Sequence, residues 1–240
     1  MNTLRTALVA LFSTAWYSSR IVLSAVLRSP RFAEVSQELP RRWARAILRA
    51  ARVQVRVEGL EHFPPDRSAI LVANHESWFD VLALVVHVPA AYRFVGKVEI
   101  TRVPLFGHAW VSAGHIAVDR SDRARAVASL ERAGQVLHQE RVAVVMFPEG
   151  TRSPDGSLLP FKKGAFVLAA QTGVPLVPAG ISGSRGIMPK GSLRVRPGTI
   201  HLRFGAPIPT EGRGVEERDA LLTEARAAVT ELRRRLPGKN

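Results

Sequence analysis

Residues 68 to 86 read SAILVANHESWFDVLALVV, and the change of character along that stretch decides the fold class. A continuous apolar run from Ala69 to Ala73 ends in a polar turn, which suits a strand covered on both faces. From Trp78 onward the apolar residues recur with helical spacing, so the strand hands over to a helix within a few residues. A buried strand leading at once into a helix is the repeating unit of an α/β layered sheet. The turn between them, NHESWFD (74 to 80), admits two readings. Ser77 through Asp80 fits a capping box, with Asp in place of the usual Glu or Gln, which accounts for Ser77 and Asp80 but not for Asn74 or His75. Alternatively His75 and Asp80 are a working pair. An imidazole can take a proton from a hydroxyl when a second group fixes its tautomer and steadies the imidazolium. Glu76 reads as a solvated or locally packed residue.

Upstream, Val53, Val55 and Val57 alternate with polar neighbours, the period of a strand. Downstream, YRFVGK (92 to 97) and HIAVDR (115 to 120) read as strands, separated by a loop and short helix in VPLFGHAWVSAG. Ser121 or Asp122 caps a helix over 123 to 140. VAVVMF (142 to 147) is a buried strand closed by Pro148, and KKGAFVLAAQTG is a helix ending at Gly173. PLVPAGI and TIHLRFG add strands, a long Pro- and Gly-containing loop spans 182 to 198, and VEERDALLTEARAAVTELRRRL is a charged helix. The expectation is an α/β fold with a central sheet flanked by helices. Polar clusters follow several strands: Asn74 to Asp80, Lys97 to Glu99, Asp119-Arg120 and Pro148 to Arg152. Ligands of open α/β sheets gather outside the carboxyl ends of strands, so these clusters point to one shared site.

Composition narrows the function. The 240 residues, 46% hydrophobic, can bury a sizeable core. The absence of cysteine excludes disulfides, thiolate zinc sites and a cysteine nucleophile. The net charge of +14 calls for a polyanionic partner such as nucleic acid, an acidic membrane or a phosphorylated ligand. Half of it lies in the first 60 residues, which hold ten arginines against Glu34, Glu38 and Glu58. There the chain is apolar, but Arg20 interrupts the uncharged run from Thr6 to Ser19. Such a run is short for a membrane span and favours an interfacial anchor over a span or a cleaved signal. In LPRRWARAILRAARVQV, Pro40 suits a first helical turn, Arg45, Arg49 and Arg52 share one face, and Trp43, Ile47 and Ala50 line another. A basic amphipathic helix beside an apolar one reads as membrane-surface attachment, against the plainer reading of a helix docked on the core. The expected division is residues 1-52 for attachment and 53-240 for catalysis. Nucleic-acid binding lacks any supporting motif. His75, His108 and His115 have no tight metal-ligand spacing, so no metal is expected.

In FPEGTRS (147 to 153), Glu149 can accept hydrogen bonds from a sugar or glycerol hydroxyl and Arg152 can present its planar fork to a phosphate. An ordinary turn with a solvated ion pair explains the same residues. Lys97, Arg120, Lys162 and Lys163 are further phosphate candidates. No G-x-S-x-G elbow supports a serine hydrolase.

Taken together, NHESWFD in the form NHxxxxD, GKVEITRVPLFG, FPEGTRS and VPLVPAGI, in that order, resemble the glycerolipid acyltransferase family of the PlsC type. The resemblance covers about residues 53 to 205. It implies a mixed, mostly parallel sheet behind an N-terminal membrane-associated helical segment. It implies that His75 activates an acceptor hydroxyl and Asp80 orients it. By the same resemblance Glu149, Gly150, Thr151 and Arg152 bind substrate, with Pro148 and Gly150 shaping the turn. Lys97 and Arg120 add positive charge, and Pro178 belongs to the last block, with an acyl-chain or structural role. The implied reaction acylates lysophosphatidic acid from acyl-CoA or acyl carrier protein without a cofactor, on the cytoplasmic face of the cell membrane, against an anionic surface. Acylation of glycerol-3-phosphate or another lysolipid, and more distantly lipid hydrolysis, are the alternatives.

Overall fold

The computed structural model describes residues 1–237. In chain order the elements are α1 (Asn2–Val26), α2 (Phe32–Ala51), β1 (Val53–Glu58), β2 (Ala69–Ala73), α3 (Trp78–His87), β3 (Ala91–Lys97), α4 (Phe106–Ser112), β4 (Ile116–Val118), α5 (Arg123–Gln139), β5 (Val142–Met146), α6 (Gly164–Thr172), β6 (Leu176–Ser182), α7 (Ser184–Ile187), β7 (Gly198–Phe204) and α8 (Arg218–Arg234). The strands form a seven-stranded sheet in the order β1-β7-β6-β2-β5-β3-β4. All neighbours are parallel except β6 and β7. The expected mixed, mostly parallel sheet with flanking helices is therefore present.

The central strands β2, β5 and β6 are buried along their whole length, as their unbroken apolar runs require. Two apolar layers cover the sheet. One contains α2 and α3, with Ala44, Ile47, Leu48, Phe79, Leu82 and Leu84. The other contains α5, α6 and α8, with Leu137, Phe166, Leu168, Leu221, Ala225 and Val229. β2 to β6 run in one direction, so the residues after Ala73, Lys97, Val118, Met146 and Ser182 emerge on a single edge. The long loop expected over 182 to 198 leaves that edge and contains the short helix α7.

The N-terminal region departs from its sequence reading in two places. α1 runs unbroken for 25 residues through Arg20, whose guanidinium lies over the Trp16 ring at 5.6 Å. A long side chain that folds back onto an aromatic face lets a charged position stay inside a helix. The result is one helix long and apolar enough to cross a membrane. Pro40, expected in a first turn, sits inside α2, which begins at Phe32. One lost backbone hydrogen bond is outweighed there by the buried stripe Ser36, Ala44, Ile47, Leu48 and Ala51. Arg52 lies just beyond α2 as its left-handed cap, at φ 55°.

α1 and α2 pack together as a hairpin, tied by a hydrogen bond from Trp43 Nε1 to Thr14 Oγ1 at 2.9 Å. The first turn of α1 is stapled to the body: Asn2 Nδ2 donates to the Ala51 carbonyl at 3.1 Å and Arg5 Nε to the Ala50 carbonyl at 2.8 Å. Arg41 of α2 reaches the other end of α3, donating to the carbonyls of Val88 at 3.0 Å and Ala90 at 2.8 Å. This anchors the C-terminal end of the helix whose N-terminal end carries Asp80.

Candidate active site

The site begins with the cap of α3. Ser77 is the N-cap, and its Oγ accepts from Phe79 N–H at 3.3 Å while Asp80 Oδ2 accepts from Ser77 N–H at 2.8 Å. The capping box read from the sequence is real, and the same carboxylate oxygen does more. Asp80 Oδ2 also accepts from the Glu76 N–H at 2.6 Å and lies 2.9 Å from His75 Nδ1. An oxygen already accepting from two backbone donors takes the imidazole contact as a third, so the proton of that bond sits on Nδ1. His75 Nε2 is left with its lone pair. Asp80 is fully buried, and the His75 ring lies flat on Phe147, with centroids 4.0 Å apart and planes 16° from parallel. The two readings of NHESWFD are thus one structure, in which the helix cap fixes the carboxylate that orients the histidine.

FPEGTRS follows β5, the strand paired with β2, which brings the two loops side by side. Glu149, expected to face a ligand hydroxyl, faces the protein instead. Its Oε1 accepts from His75 N–H at 2.7 Å and its Oε2 from Leu159 N–H at 2.9 Å. Burial pushes its carboxyl upward, opposed by these backbone donors. Ser153 N–H closes the join by donating to the His75 carbonyl at 2.8 Å. Glu149 is therefore a brace on the histidine loop. Gly150 follows at φ +72°, the left-handed region that favours glycine, and a Cβ there would meet the Lys162 side chain.

Arg152 is carried to the mouth, with its guanidinium over the Trp78 ring at 5.2 Å. Burial lowers its pKa and the Asp80 charge opposes that shift. Arg120 donates to the Gly150 carbonyl. Thr151 Oγ1 is bonded by Lys190 Nζ at 3.1 Å. Lys97 lies at the same edge, held to Glu99 at 2.6 Å. Lys163 is drawn elsewhere, to Asp219 on α8 at 2.9 Å, while Lys162 packs beside Gly150. Pro178 lies inside β6 and serves the sheet.

Behind His75 a cavity of about 1020 Å³ opens between α1, α2, α3, α4 and β3. His75, Arg152, Arg120 and Lys97 stand on its wall, and the remainder is mainly apolar, including Leu82, Phe94, Phe106 and Trp110. One polar, cationic end with a histidine and one long apolar body suit an amphiphile with an anionic head.

Three contributions escaped the sequence reading. Phe147 supplies the ring under His75. Asn74 is a buried clamp, its Oδ1 accepting from Ile181 N–H at 2.8 Å and its Nδ2 donating to the Ile181 carbonyl at 2.9 Å. Glu76 is not solvated: it is 2% exposed and paired with Arg233 of α8 at 2.7 Å. Arg233, 8% exposed, also donates to the Gly156 carbonyl at 2.7 Å. The C-terminal helix thereby ties the loop after β2 to the segment that follows FPEGTRS.

The histidines weighed as metal ligands have other places. His108 is exposed on α4. His115 packs among Tyr92, Phe94 and Trp110, and its Nδ1 accepts from Phe94 N–H at 3.1 Å. Burial, helped by the Arg93 charge, lowers its pKa to about 3. An unfolded chain binds this proton below about pH 6.5, whereas the folded chain refuses it down to about 3. Stability is therefore lost as pH falls through that window. The expected loss by pH 5 is at most about 2 kcal/mol from this group. Urea midpoints at pH 7 and pH 5 check it: His115→Gln, which keeps an acceptor, should show a smaller acid shift than the parent.

Comparison with known proteins follows the same lines. Residues 54–182 match the family model described as Acyltransferase. The 1-acyl-sn-glycerol-3-phosphate acyltransferase of Limnanthes douglasii is 38% identical over 167 residues, which is 70% of this chain and 59% of that protein. The chain thus spans less than two thirds of that relative. The 1-acyl-sn-glycerol-3-phosphate acyltransferase alpha of Homo sapiens is 33% identical over 223 residues, 91% of this chain and 79% of that protein. The crystal structure of the 1-acyl-sn-glycerophosphate (LPA) acyltransferase PlsC from Thermotoga maritima superposes with a TM-score of 0.80 at 27% identity, covering 99% of this chain and 100% of that one.

Proposed function

This chain belongs to the acyltransferase family, and from that premise we propose that it moves an acyl group from a soluble thioester to the free hydroxyl of lysophosphatidic acid, forming phosphatidic acid at a membrane surface. The observation that carries the reading is the His75-Asp80 pair at the cationic end of an apolar cavity. The acceptor hydroxyl gives its proton to His75 Nε2 as its oxygen bonds to the thioester carbonyl carbon. Asp80 steadies the resulting imidazolium. The tetrahedral intermediate then collapses, the carbon-sulfur bond breaks, and the imidazolium returns the proton to the thiolate. Because the thioester is already activated, the step calls for neither a covalent enzyme intermediate nor a cofactor.

Arg152, aided by Arg120 and Lys97, is placed to hold the phosphate of the acceptor. The apolar body of the cavity is suited to an acyl chain. Acyl-CoA and acyl carrier protein both present the required thioester, and the site chemistry is common to them.

The attachment is peripheral or monotopic in this reading, on the cytoplasmic face. α1 keeps Thr6, Ser18 and Ile21 buried against the protein and turns Leu4, Leu11, Phe12, Trp16 and Leu23 outward. A helix docked along one side and greasy on the other suits the plane of a bilayer better than a free crossing.

An acceptor panel tests the substrate. With one acyl-CoA, thiol release should be fast for lysophosphatidic acid, and slow for glycerol-3-phosphate and for a lysolipid with no phosphate monoester. Arg152→Ala should raise the KM for lysophosphatidic acid by about 10- to 100-fold, the loss of a charge-assisted contact of roughly 1.5–3 kcal/mol, with less change in the KM for the thioester. Equal rates with all three acceptors would remove the phosphate from the account. Repeating the assay with acyl carrier protein identifies the donor.

A further inference from the structure

The segment after β6, whose Leu193 and Val195 stand on the wall of the cavity beside α1, combines three features to which the transfer step assigns no role. From Gly183 to Thr210 there is no acidic residue, while Arg185, Lys190, Arg194, Arg196 and Arg203 are cationic. Arg203 is committed to Glu58, but among the described residues Arg194 and Arg196 enter no ion pair, and both are exposed. Between them Val195 is buried, and next to them Leu193 is 87% exposed. An isolated exposed leucine is common; one flanked by free cations on a carboxylate-free segment is a different surface.

The position of this segment is fixed. Thr3 Oγ1 donates to the Val195 carbonyl at 3.2 Å and accepts from Val195 N–H at 3.1 Å, and Asn2 Nδ2 reaches the same carbonyl at 3.3 Å. The loop is thus latched to the first turn of α1, the helix whose outward face carries Leu4, Leu8, Leu11, Phe12 and Trp16. At its other side Lys190 bonds to Thr151 and Arg185 Nε donates to the Pro154 carbonyl at 3.1 Å, both in the stretch that follows β5. It therefore bridges the apolar face of α1 and the turn that holds Arg152.

We propose that residues 190 to 196 form a second membrane contact, in which Arg194 and Arg196 take the phosphates of anionic phospholipids and Leu193 enters the interface beside α1. Continuity with the apolar face of α1 favours a bilayer over an acidic protein, which would meet the cations but leave that face uncovered. Together the two contacts set the tilt at which the cavity mouth meets the membrane. The inference rests on the proposed membrane-borne acceptor.

Flotation with phosphatidylglycerol and phosphatidylcholine vesicles, at fixed low salt, tests it. The double variant Arg194→Gln, Arg196→Gln should bind phosphatidylglycerol vesicles about 30-fold more weakly, from roughly 1 kcal/mol per cation, and phosphatidylcholine vesicles as the parent does. It should also turn over a short-chain, water-soluble lysophosphatidic acid at the parental rate, while losing activity on acceptor presented in phosphatidylglycerol vesicles. Unchanged affinity for phosphatidylglycerol vesicles overturns the inference. So does a variant with parental vesicle binding that fails only with acyl carrier protein thioester, which assigns the loop to the carrier protein. Failure of the parent to use the soluble acceptor would instead strike the proposed reaction, so the two failures are distinguishable.

Discussion

Replacing His75 with alanine is expected to lower kcat by about 10³- to 10⁴-fold, the upper range for removal of a positioned general base, with the KM for the thioester within a few-fold of the parent. The site explains both halves of that expectation. Nε2 is the atom left with a lone pair once Nδ1 is engaged by Asp80 at 2.9 Å, so no neighbouring group replaces it. The apolar body of the cavity is built from α1, α2, α3, α4 and β3 and does not depend on the imidazole. Folding should survive, because the backbone N–H and carbonyl of residue 75 carry the joins to Glu149 and Ser153 and an alanine keeps both. Asp80→Asn is a sharper companion. Its amide oxygen can still accept from Glu76 N–H, Ser77 N–H and His75 where Oδ2 does, but the negative charge that steadies the imidazolium is gone. The loss of turnover should be comparable, with most of the cap kept and only a small change in stability. Kinetics at saturating thioester, with thermal melts of each variant, separate the two effects.

The second large effect concerns stability. Arg233→Met should destabilise the fold by about 3–5 kcal/mol, or roughly 10 °C in melting temperature for a chain of this size. The variant takes away the guanidinium that neutralises the buried Glu76 carboxylate and the donor that holds the Gly156 carbonyl. Removing one member of a buried pair costs more than replacing both, so taking out both should recover most of it. The double variant Glu76→Gln, Arg233→Met is expected to melt within a few degrees of the parent. Turnover of Arg233→Met should fall as well, because Glu76 and Ser77 supply the backbone donors that hold Asp80. Melting curves for both single variants and the pair measure the coupling. A melting temperature for Arg233→Met equal to the parent's would show that the buried pair contributes nothing.

The parts of the structure that were legible in the sequence are those settled over short distances. The strand, turn and helix of residues 68 to 86 follow from unbroken apolar character changing to helical spacing, and the fate of His75 is decided five residues away at Asp80. Polar clusters at strand ends were placed correctly because the intervening segments are long enough for parallel crossovers. What could not be read depends on where a side chain turns after distant pieces meet. Glu149 looked like a ligand contact, but the pairing of β2 with β5 brings it onto an amide 74 positions away. Arg233 is one of three successive arginines and by sequence looks as solvated as its neighbours. Arg234 and Arg235 do pair at the surface with Glu231, whereas helical rotation turns Arg233 inward to a carboxylate 157 positions away. The uncharged run Thr6 to Ser19 looks short for a related reason: Arg20 counts as a charge in a hydropathy run, while in the structure it lies against Trp16 within one continuous helix.

The central claim is direct transfer from thioester to a lysophosphatidic acid hydroxyl, and single-turnover thiol release tests it most directly. Enzyme in excess over acyl-CoA is mixed with and without lysophosphatidic acid, while free thiol and phosphatidic acid are measured together. The account predicts no thiol release without the acceptor, release equal to the phosphatidic acid formed when it is present, and neither in His75→Ala. Thiol released in the absence of acceptor, as a burst equal to the enzyme or as steady loss to water, would contradict it.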